Sequence, residues 1–295
     1  MAYRVVLHES LYAPAELAPR SLAPRVHVRW LGTAGFELRC GEHSVLIDPY
    51  LSRPSLARCI AAPLVSDAEA VAAHAPRADA IVVGHTHFDH ALDVPAIAKR
   101  TGAIVYGSTS AAALCLAAGV TPSKVVDVQR ALRGSVHQAE VGPFQLRFLP
   151  SAHSRLVFGK VPLEGDIDDC DALPMRLHHY RCGAVFGVEI KVAGRTLFHL
   201  GSAEIVERCL DVRDVDLLLL CVAGWSKSER FPERALAALS PKAILLSHWD
   251  DFFRPIDEPA RALPAIQLPR LVDRLMTSSR DARVHTLPIL GETMI

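Results

Sequence analysis

The stretch that decides the fold runs over residues 80–90 and reads AIVVGHTHFDH. Its first four residues are apolar, which predicts a short buried strand that ends at Gly84. Directly after the glycine come three histidines and one aspartate, namely His85, His87, Asp89 and His90. A buried polar group without a partner costs roughly 2–7 kcal/mol, so this density of imidazole and carboxylate favours a divalent metal site. A solvated, histidine-rich turn is the alternative interpretation.

The other apolar segments place this strand in an α/β protein. Strand patterns fill residues 26–48, and strands and helices then alternate up to residue 128. The same order returns in the second half, which predicts two similar halves whose sheets lie face to face with helices outside. The later strands are predicted at 79–83, 104–106, 125–128, 135–137, 144–149, 184–192, 195–200, 215–221 and 243–247. Helices are predicted at 66–74 with Ser66 as N-cap, 91–100, 108–118, 234–239 and 268–276.

Three further predicted strands end at polar residues. The strand at 144–149 leads to His153, the one at 195–200 leads to Gly201 and Ser202, and the one at 243–247 leads to His248. Ligands of α/β proteins collect outside the carboxyl ends of strands. These residues are therefore predicted to converge with the first cluster on one pocket.

Bulk composition excludes several functional classes. The 295 residues include 32 basic and 32 acidic side chains, and no cluster of lysine and arginine indicates nucleic-acid binding. No apolar run approaches the ~20 residues of a membrane-spanning helix. The seven cysteines form no C-x-x-C pair, which is typical of free thiols in a reducing compartment. We therefore expect a soluble cytoplasmic protein that does not bind nucleic acid.

The length suits one large α/β domain over residues 1–295. Within it, residues 154–182 show no clear periodicity and contain several glycines and prolines. Long irregular segments in compact domains are usually functional, so this segment is predicted to be a lid or substrate loop.

The chain resembles hydrolases of the metallo-β-lactamase fold from about residue 26 to residue 250. The motif H-x-H-x-D-H at 85–90 carries the resemblance, together with His153, His248 and the segment 45–49. Within the family, Asp48–Leu51 and His248–Asp250 resemble the branch of ascorbate-6-phosphate lactonase and N-acyl-phosphatidylethanolamine phospholipase D. The resemblance implies a four-layer αββα sandwich of two mixed sheets with helices on the outer faces.

The resemblance also implies a ligand set and a reaction. The implied ligands are His85, His87 and His153 for one metal and Asp89, His90 and His248 for a second. A metal-bound hydroxide would attack an ester, lactone, amide or phosphodiester, and Asp89 would orient it or carry its proton. Zinc is the expected metal, with manganese or iron as alternatives. Members of this branch are often homo-oligomers.

One position departs from the family pattern. Ser202 stands where the family usually has an aspartate that bridges the two metals. Serine is a neutral and weak ligand, so the second metal is expected to bind more weakly or not at all. Glu204 is a possible substitute, although a regular turn would point it elsewhere. The loss of the bridge keeps two other functions open, namely oxygen or persulfide chemistry at a single non-haem iron, and a non-catalytic binding module.

Several other polar residues have two possible roles. Asp48 either orients a ligand histidine or starts a turn. For Asp250 and Asp251 a charged surface loop is favoured over a place in the pocket. The remaining candidates are Arg155 as an anion clamp, His178 and His179 in a solvated loop, and His199 in the core.

Overall fold

The computed structural model describes residues 9–17, 24–132, 136–156, 158–167, 173–279 and 281–295. The strands are β1 His27–Gly32, β2 Gly35–Cys40, β3 His43–Ile47, β4 Ala80–Val82, β5 Ile104–Gly107, β6 Val125–Asp127, β7 His137–Val141, β8 Phe144–Pro150, β9 Phe186–Val192, β10 Arg195–Leu200, β11 Leu217–Cys221, β12 Ala243–Ser247, β13 Arg283–His285 and β14 Glu292–Met294. The helices are α1 Leu56–Ala61, α2 Ala68–His74, α3 Phe88–Ala91, α4 Val94–Thr101, α5 Thr109–Ala117, α6 Val128–Ala131, α7 Phe231–Leu239 and α8 Leu268–Ser278.

The strands form two mixed sheets with the same plan. The first has the order β14-β1-β2-β3-β4-β5-β6, and the second has the order β13-β12-β11-β10-β9-β8-β7. In the first sheet, β14 through β3 pair antiparallel and β3 through β6 pair parallel. In the second sheet, β7 through β10 pair antiparallel and β10 through β13 pair parallel. Each half thus combines hairpins with parallel strands, as the order of patterns predicted.

The alternation of side chains along β3 shows how the layers stack. Val45 and Ile47 belong to a core that also contains Phe198 of the second sheet, so the sheets pack face to face. Leu46 points to the other face and shares a separate core with Ile97 of α4. Helices α7 and α8 contribute residues to the core of the second sheet. The predicted αββα arrangement is confirmed.

Several predicted boundaries are wrong by a few residues. Helix α2 begins at Ala68, and its cap is Asp67, whose carboxylate accepts hydrogen bonds from the amides of Glu69 and Ala70. Ser66 instead donates its hydroxyl to Asp93 Oδ1 at 2.6 Å. The helix predicted at 91–100 is two helices, α3 and α4. The predicted strand at 135–137 continues as β7 to residue 141, while Ser135 itself lies outside the described residues.

The segment predicted as a lid, residues 154–182, contains one 3-10 turn at Leu177–His179 and no α-helix or strand in its described part. Residues 157 and 168–172, which include Cys170, lie outside the described residues. Backbone contacts attach the segment to the first half, since the amide of Ile167 donates to Ser110 Oγ at 3.0 Å and that of Leu64 donates to the carbonyl of Met175 at 2.7 Å. The segment therefore lies against helix α5 and the loop that follows α1.

Among the described residues, no helix has the length and apolar character needed to cross a membrane.

Candidate metal centre

The histidine cluster is held at the end of β4 by Asp48. The amide of Gly84 donates to Asp48 Oδ1 at 2.6 Å. A Cβ at position 84 would lie 2.9 Å from Asp48 Oδ2, so glycine is required for this close approach. Helix α3 then begins at Phe88 and places Asp89 and His90 in its single turn. Together the strand, the glycine and the short helix bring the four polar side chains of residues 85–90 to the same cavity.

Two sets of side chains could each hold a metal ion, and each set is named a ligand group on that basis. The first ligand group consists of His85, His87 and His153. One ring nitrogen from each lies within 4.8 Å of the others. His85 Nε2 and His87 Nδ1 are 3.1 Å apart. The opposite nitrogens of two rings contact backbone carbonyls, since His87 Nε2 lies 2.8 Å from Pro162 O and His153 Nδ1 lies 2.8 Å from Ser154 O. These carbonyls fix the ring orientations, as outer partners of metal-binding histidines do.

The protonation state of this group suits a metal. Burial lowers the pKa of His85 well below its usual value, and the neighbouring histidines lower it further. Burial likewise lowers the pKa of His153 to about 3 and is the main cause of the lowered pKa of His87. The three imidazoles are therefore neutral at pH 7, which is the state that binds a cation. Three converging neutral imidazoles in a buried position fit a divalent metal such as zinc.

The second ligand group consists of Asp89, His90 and His248, whose ligand atoms also lie within 4.8 Å of one another. His248 Nε2 is 3.1 Å from Asp89 Oδ2. Burial would raise the pKa of Asp89, but the hydrogen bond from His248 and the nearby histidines outweigh it and hold the pKa below its usual value. His90 Nδ1 lies 3.0 Å from Asp48 Oδ2, and Asp48 is fully buried. Asp48 therefore orients a candidate ligand, which decides between its two predicted roles.

A buried ion pair holds His248 in place. His248 has a φ of 59°, in the left-handed region, and its amide donates to the carbonyl of Thr33 at 2.7 Å. The amide of Thr33 donates in turn to Asp250 Oδ1 at 3.0 Å, and Arg53 pairs with the same carboxylate. The side chains of Arg53 and Asp250 are both fully buried. The prediction of a charged surface loop is therefore wrong for Asp250, because its partners come from the distant first hairpin and the loop after β3.

Sequence reasoning missed Arg53 and Thr33 completely. Neither residue stands in a motif, and Arg53 is 197 positions from Asp250 along the chain. Each of them has a positive φ, a feature that the structure shows and the sequence does not indicate. No local sequence signal indicates such a long-range contact.

Ser202 lies in the cavity but faces the backbone of the His153 loop. Its Oγ accepts a hydrogen bond from the amide of Ser154 at 3.1 Å. Glu204 does not replace the missing bridge, because its carboxylate is 2.9 Å from Arg234 Nη1 and points away from the ligand groups. The carboxylate ligand in the two groups is thus Asp89 alone, as far as the described residues show.

Both ligand groups and Ser202 line one cavity of about 530 Å³. Leu156, Pro162, Leu163 and Leu177 of the segment 154–182 also line it. By contrast, Arg155, His178 and His179 are exposed and are not among the residues that line the cavity. His199 is fully buried with its Nε2 3.1 Å from Ala34 O, as expected for a core histidine.

Comparison with known proteins agrees with this architecture. The profile of the beta-lactamase superfamily domain matches residues 43–249. A metal-dependent hydrolase of Anaeromyxobacter sp. (strain K) is 27% identical over 242 residues, which cover 79% of this chain and 78% of the relative. Another, from Heliobacterium modesticaldum, is 26% identical over 279 residues, covering 89% of this chain and 94% of the relative.

Solved structures show the same fold. A metallo hydrolase of the archaeon Ignicoccus hospitalis superimposes with a TM-score of 0.60 at 18% identity, over 92% of this chain and 98% of that protein. The matched profile spans more than half of the chain, and the curated relatives are metal-dependent hydrolases. The chain is an enzyme and not a non-catalytic module: it belongs to the metallo-β-lactamase superfamily of metal-dependent hydrolases.

Proposed function

We propose that this enzyme hydrolyses a small-molecule ester, lactone or phosphodiester with one tightly held divalent metal, most readily zinc, on His85, His87 and His153. The observation that carries the proposal is the convergence of two ligand groups at one end of the 530 Å³ cavity. When bound, the metal supplies a Lewis acid and lowers the pKa of a water molecule from 15.7 to about 7. Asp89, His90 and His248 form a second and weaker site.

The chain's own residues supply the proton handling and the positioning. Asp89 stays ionised at neutral pH, because the hydrogen bond from His248 and the histidines around it outweigh the cost of burial and lower its pKa. Its carboxylate therefore accepts a hydrogen bond from the attacking water, which holds that proton in place and orients the water. Asp48 fixes the ring of His90 through its contact with Nδ1.

The weakness of the second site follows from Ser202. The resemblance to the family places a bridging aspartate there, and serine carries no charge. Two dications a few ångströms apart repel one another, and a bridging carboxylate is what offsets that repulsion. With Ser202 held by the amide of Ser154, the chain offers one charged ligand where the family pattern has two.

Elemental mass spectrometry tests the metal proposal on protein purified without added metal. We expect about one zinc per chain, followed by hydrolysis of a member of an ester, lactone and phosphodiester panel. About two tightly held zinc ions would contradict the weak second site. A fully zinc-loaded protein that hydrolyses no compound in a broad panel would contradict the proposed substrate range.

Iron chemistry is the second candidate, because two histidines and one carboxylate in the second ligand group match the ligand types of mononuclear non-haem iron enzymes. The diiron β-hydroxylase CmlA of Streptomyces venezuelae shares the fold, with a TM-score of 0.55 at 17% identity over 94% of this chain and 55% of CmlA. Iron as the dominant metal, together with substrate-dependent oxygen uptake, would favour this candidate over hydrolysis.

The setting of the reaction is part of the same proposal. We expect a single-domain enzyme in the cytoplasm that forms homo-oligomers and binds no nucleic acid. Five cysteines are free thiols in the structure, in keeping with a reducing compartment, namely Cys40, Cys59, Cys182, Cys209 and Cys221. Light scattering of the purified protein measures the oligomeric state directly.

A further inference from the structure

We infer that the substrate has an apolar body, such as a hydrophobic ester or lactone with an extended aliphatic or aromatic substituent. This inference rests on the proposed hydrolysis at the metal centre and adds the class of molecule that the cavity selects. It comes from the walls of the cavity rather than from the ligand groups.

One wall is formed by the segment 154–182. Leu156, Pro162, Leu163 and Leu177 present aliphatic surface to the cavity. All four are half-buried, so a bound molecule can cover the part that remains exposed to water. The carbonyl of Pro162 also contacts His87 Nε2 at 2.8 Å, which brings this wall directly to the first ligand group. An apolar substituent attached to a reacting carbonyl would therefore lie along it.

A second set of lining residues is also apolar and comes from separate elements. Phe88 lies in α3, Phe252 follows His248, and Leu263 and Ile266 lie in the loop before α8. The ring of Phe252 is 5.2 Å from that of His248 and 6.2 Å from that of Phe88, so the aromatic surface begins at the second ligand group. Apolar surface thus reaches both ligand groups from two sides.

Charged and hydrogen-bonding side chains are scarce beyond the ligands. Among the described residues that line the cavity, Lys227 carries the sole charge outside the two ligand groups, and it is exposed at the rim. A sugar phosphate presents several hydroxyls and a dianion, and each such group loses affinity when it is buried without a partner. The cavity therefore disfavours polyhydroxylated substrates and admits at most one anionic group, beside Lys227.

Calorimetric titration of the zinc-loaded full chain with straight-chain alkanoates, from butanoate to decanoate, tests this inference. The carboxylate is the same throughout, so chain length isolates the contribution of the walls. A methylene that leaves water for an apolar site improves affinity roughly threefold. We expect the Kd to fall by on the order of 100-fold across the series and to level off once the cavity is filled.

Two substitutions in the same segment localise the effect. Leu163→Asn places an amide on the wall and is expected to weaken decanoate binding about tenfold, because more than one methylene contact is lost, while butanoate binding is unchanged. Phe158 is 99% exposed and does not line the cavity, so Phe158→Asn should leave both affinities unchanged. Leu177→Asn repeats the wall test at a second position.

Two results would overturn the inference: a Kd that stays constant along the series, or equal behaviour of the Leu163 and Phe158 variants. Binding of alkanoates requires no turnover. A chain-length dependence without hydrolysis of any ester, lactone or phosphodiester would therefore contradict the proposed function and still support the apolar cavity.

Discussion

The two ligand groups of this enzyme are held in place by different kinds of structure. In the first group, His87 and His153 contact the backbone carbonyls of Pro162 and Ser154, both in the segment 154–182. In the second group, His90 contacts the buried carboxylate of Asp48, and His248 follows a loop fixed by the Arg53–Asp250 ion pair. The first group is thus uncharged and tied to a loop, whereas the second is charged and tied to the core.

The two ligand groups therefore differ in how far their support depends on buried charges. Neutral imidazoles fixed by carbonyls include no charge that is left unpaired when one member of the group is removed. A site with one carboxylate ligand and a network of buried charges depends on each of those charges, because removing one leaves another unpaired. Substitutions in the two groups should therefore fail in different ways, and the following variants separate them.

The largest effect is expected from His85→Ala. This variant removes a ligand from the uncharged group, so zinc content should fall well below one per chain, and hydrolysis should fall by more than the ~10–100-fold that outer-partner substitutions cause. Elemental mass spectrometry and initial rates measure the two quantities. The control is His178→Ala, an exposed histidine of the segment 154–182. Retention of one zinc by His85→Ala would place the tight site on the second group.

Arg53→Met should destabilise the fold and leave the first group intact. It leaves Asp250 buried without its cation, which costs about 3–5 kcal/mol of the free energy of unfolding. Urea unfolding measures this loss, and Arg58→Met, on the exposed face of α1, is the control.

The double variant Arg53→Met with Asp250→Asn tests the cause of that loss. The introduced carboxamide has no charge to leave unpaired, and its oxygen can still accept the hydrogen bond from the amide of Thr33. Most of the stability should therefore return. An equally unstable double variant would show that packing around Arg53, and not the charge of Asp250, is responsible.

Asp48→Asn should act on the second group alone. The carboxamide keeps the shape but removes the charge beside His90, so affinity for a second zinc should fall about 10–100-fold while the first zinc is retained. Zinc titration followed by calorimetry resolves the two events. Asp257→Asn changes an exposed aspartate and serves as the control. Equal losses at both sites would show that the carboxamide no longer holds the amide of Gly84, so that the whole end of β4 is disturbed.

Prediction from sequence succeeded for features with local signals and failed for contacts between distant parts of the chain. The strands at 195–200 and 243–247 were predicted to the residue, because apolar runs bounded by turn residues are local signals. The candidate ligands could be named from the sequence because they cluster at strand ends and resemble a family motif, and the fold brings their side chains together. The cap of α2 was placed one residue early at Ser66, since serine and aspartate are both good caps and the sequence does not rank them.

The buried charges that support the second group were beyond such signals. Asp250 was expected on the surface, because a charged residue beside Asp251 is usually solvated. Asp250 can be buried because it pairs with Arg53, a residue from a distant part of the chain. A local pattern specifies which side chains end a strand, but not which distant charge makes burial of a carboxylate tolerable.

The smallest expected change comes from Ser202→Asp, and it tests whether the contrast between the groups originates at this position. The new carboxylate can still accept the hydrogen bond from the amide of Ser154, so the loop of His153 should keep its conformation. A unit charge at 4 Å from another contributes about 1 kcal/mol even in bulk water, and more in a buried site. Affinity for a second zinc should therefore rise on the order of tenfold.

The matched control, Ser226→Asp, adds the same charge to an exposed position that lines the cavity away from the strand ends. If both variants bind the second zinc equally well, the effect is general attraction of a cation to a more negative cavity. If only Ser202→Asp gains a zinc, the missing bridge is what makes the second group weak, and the charged supports of that group are insufficient to replace it.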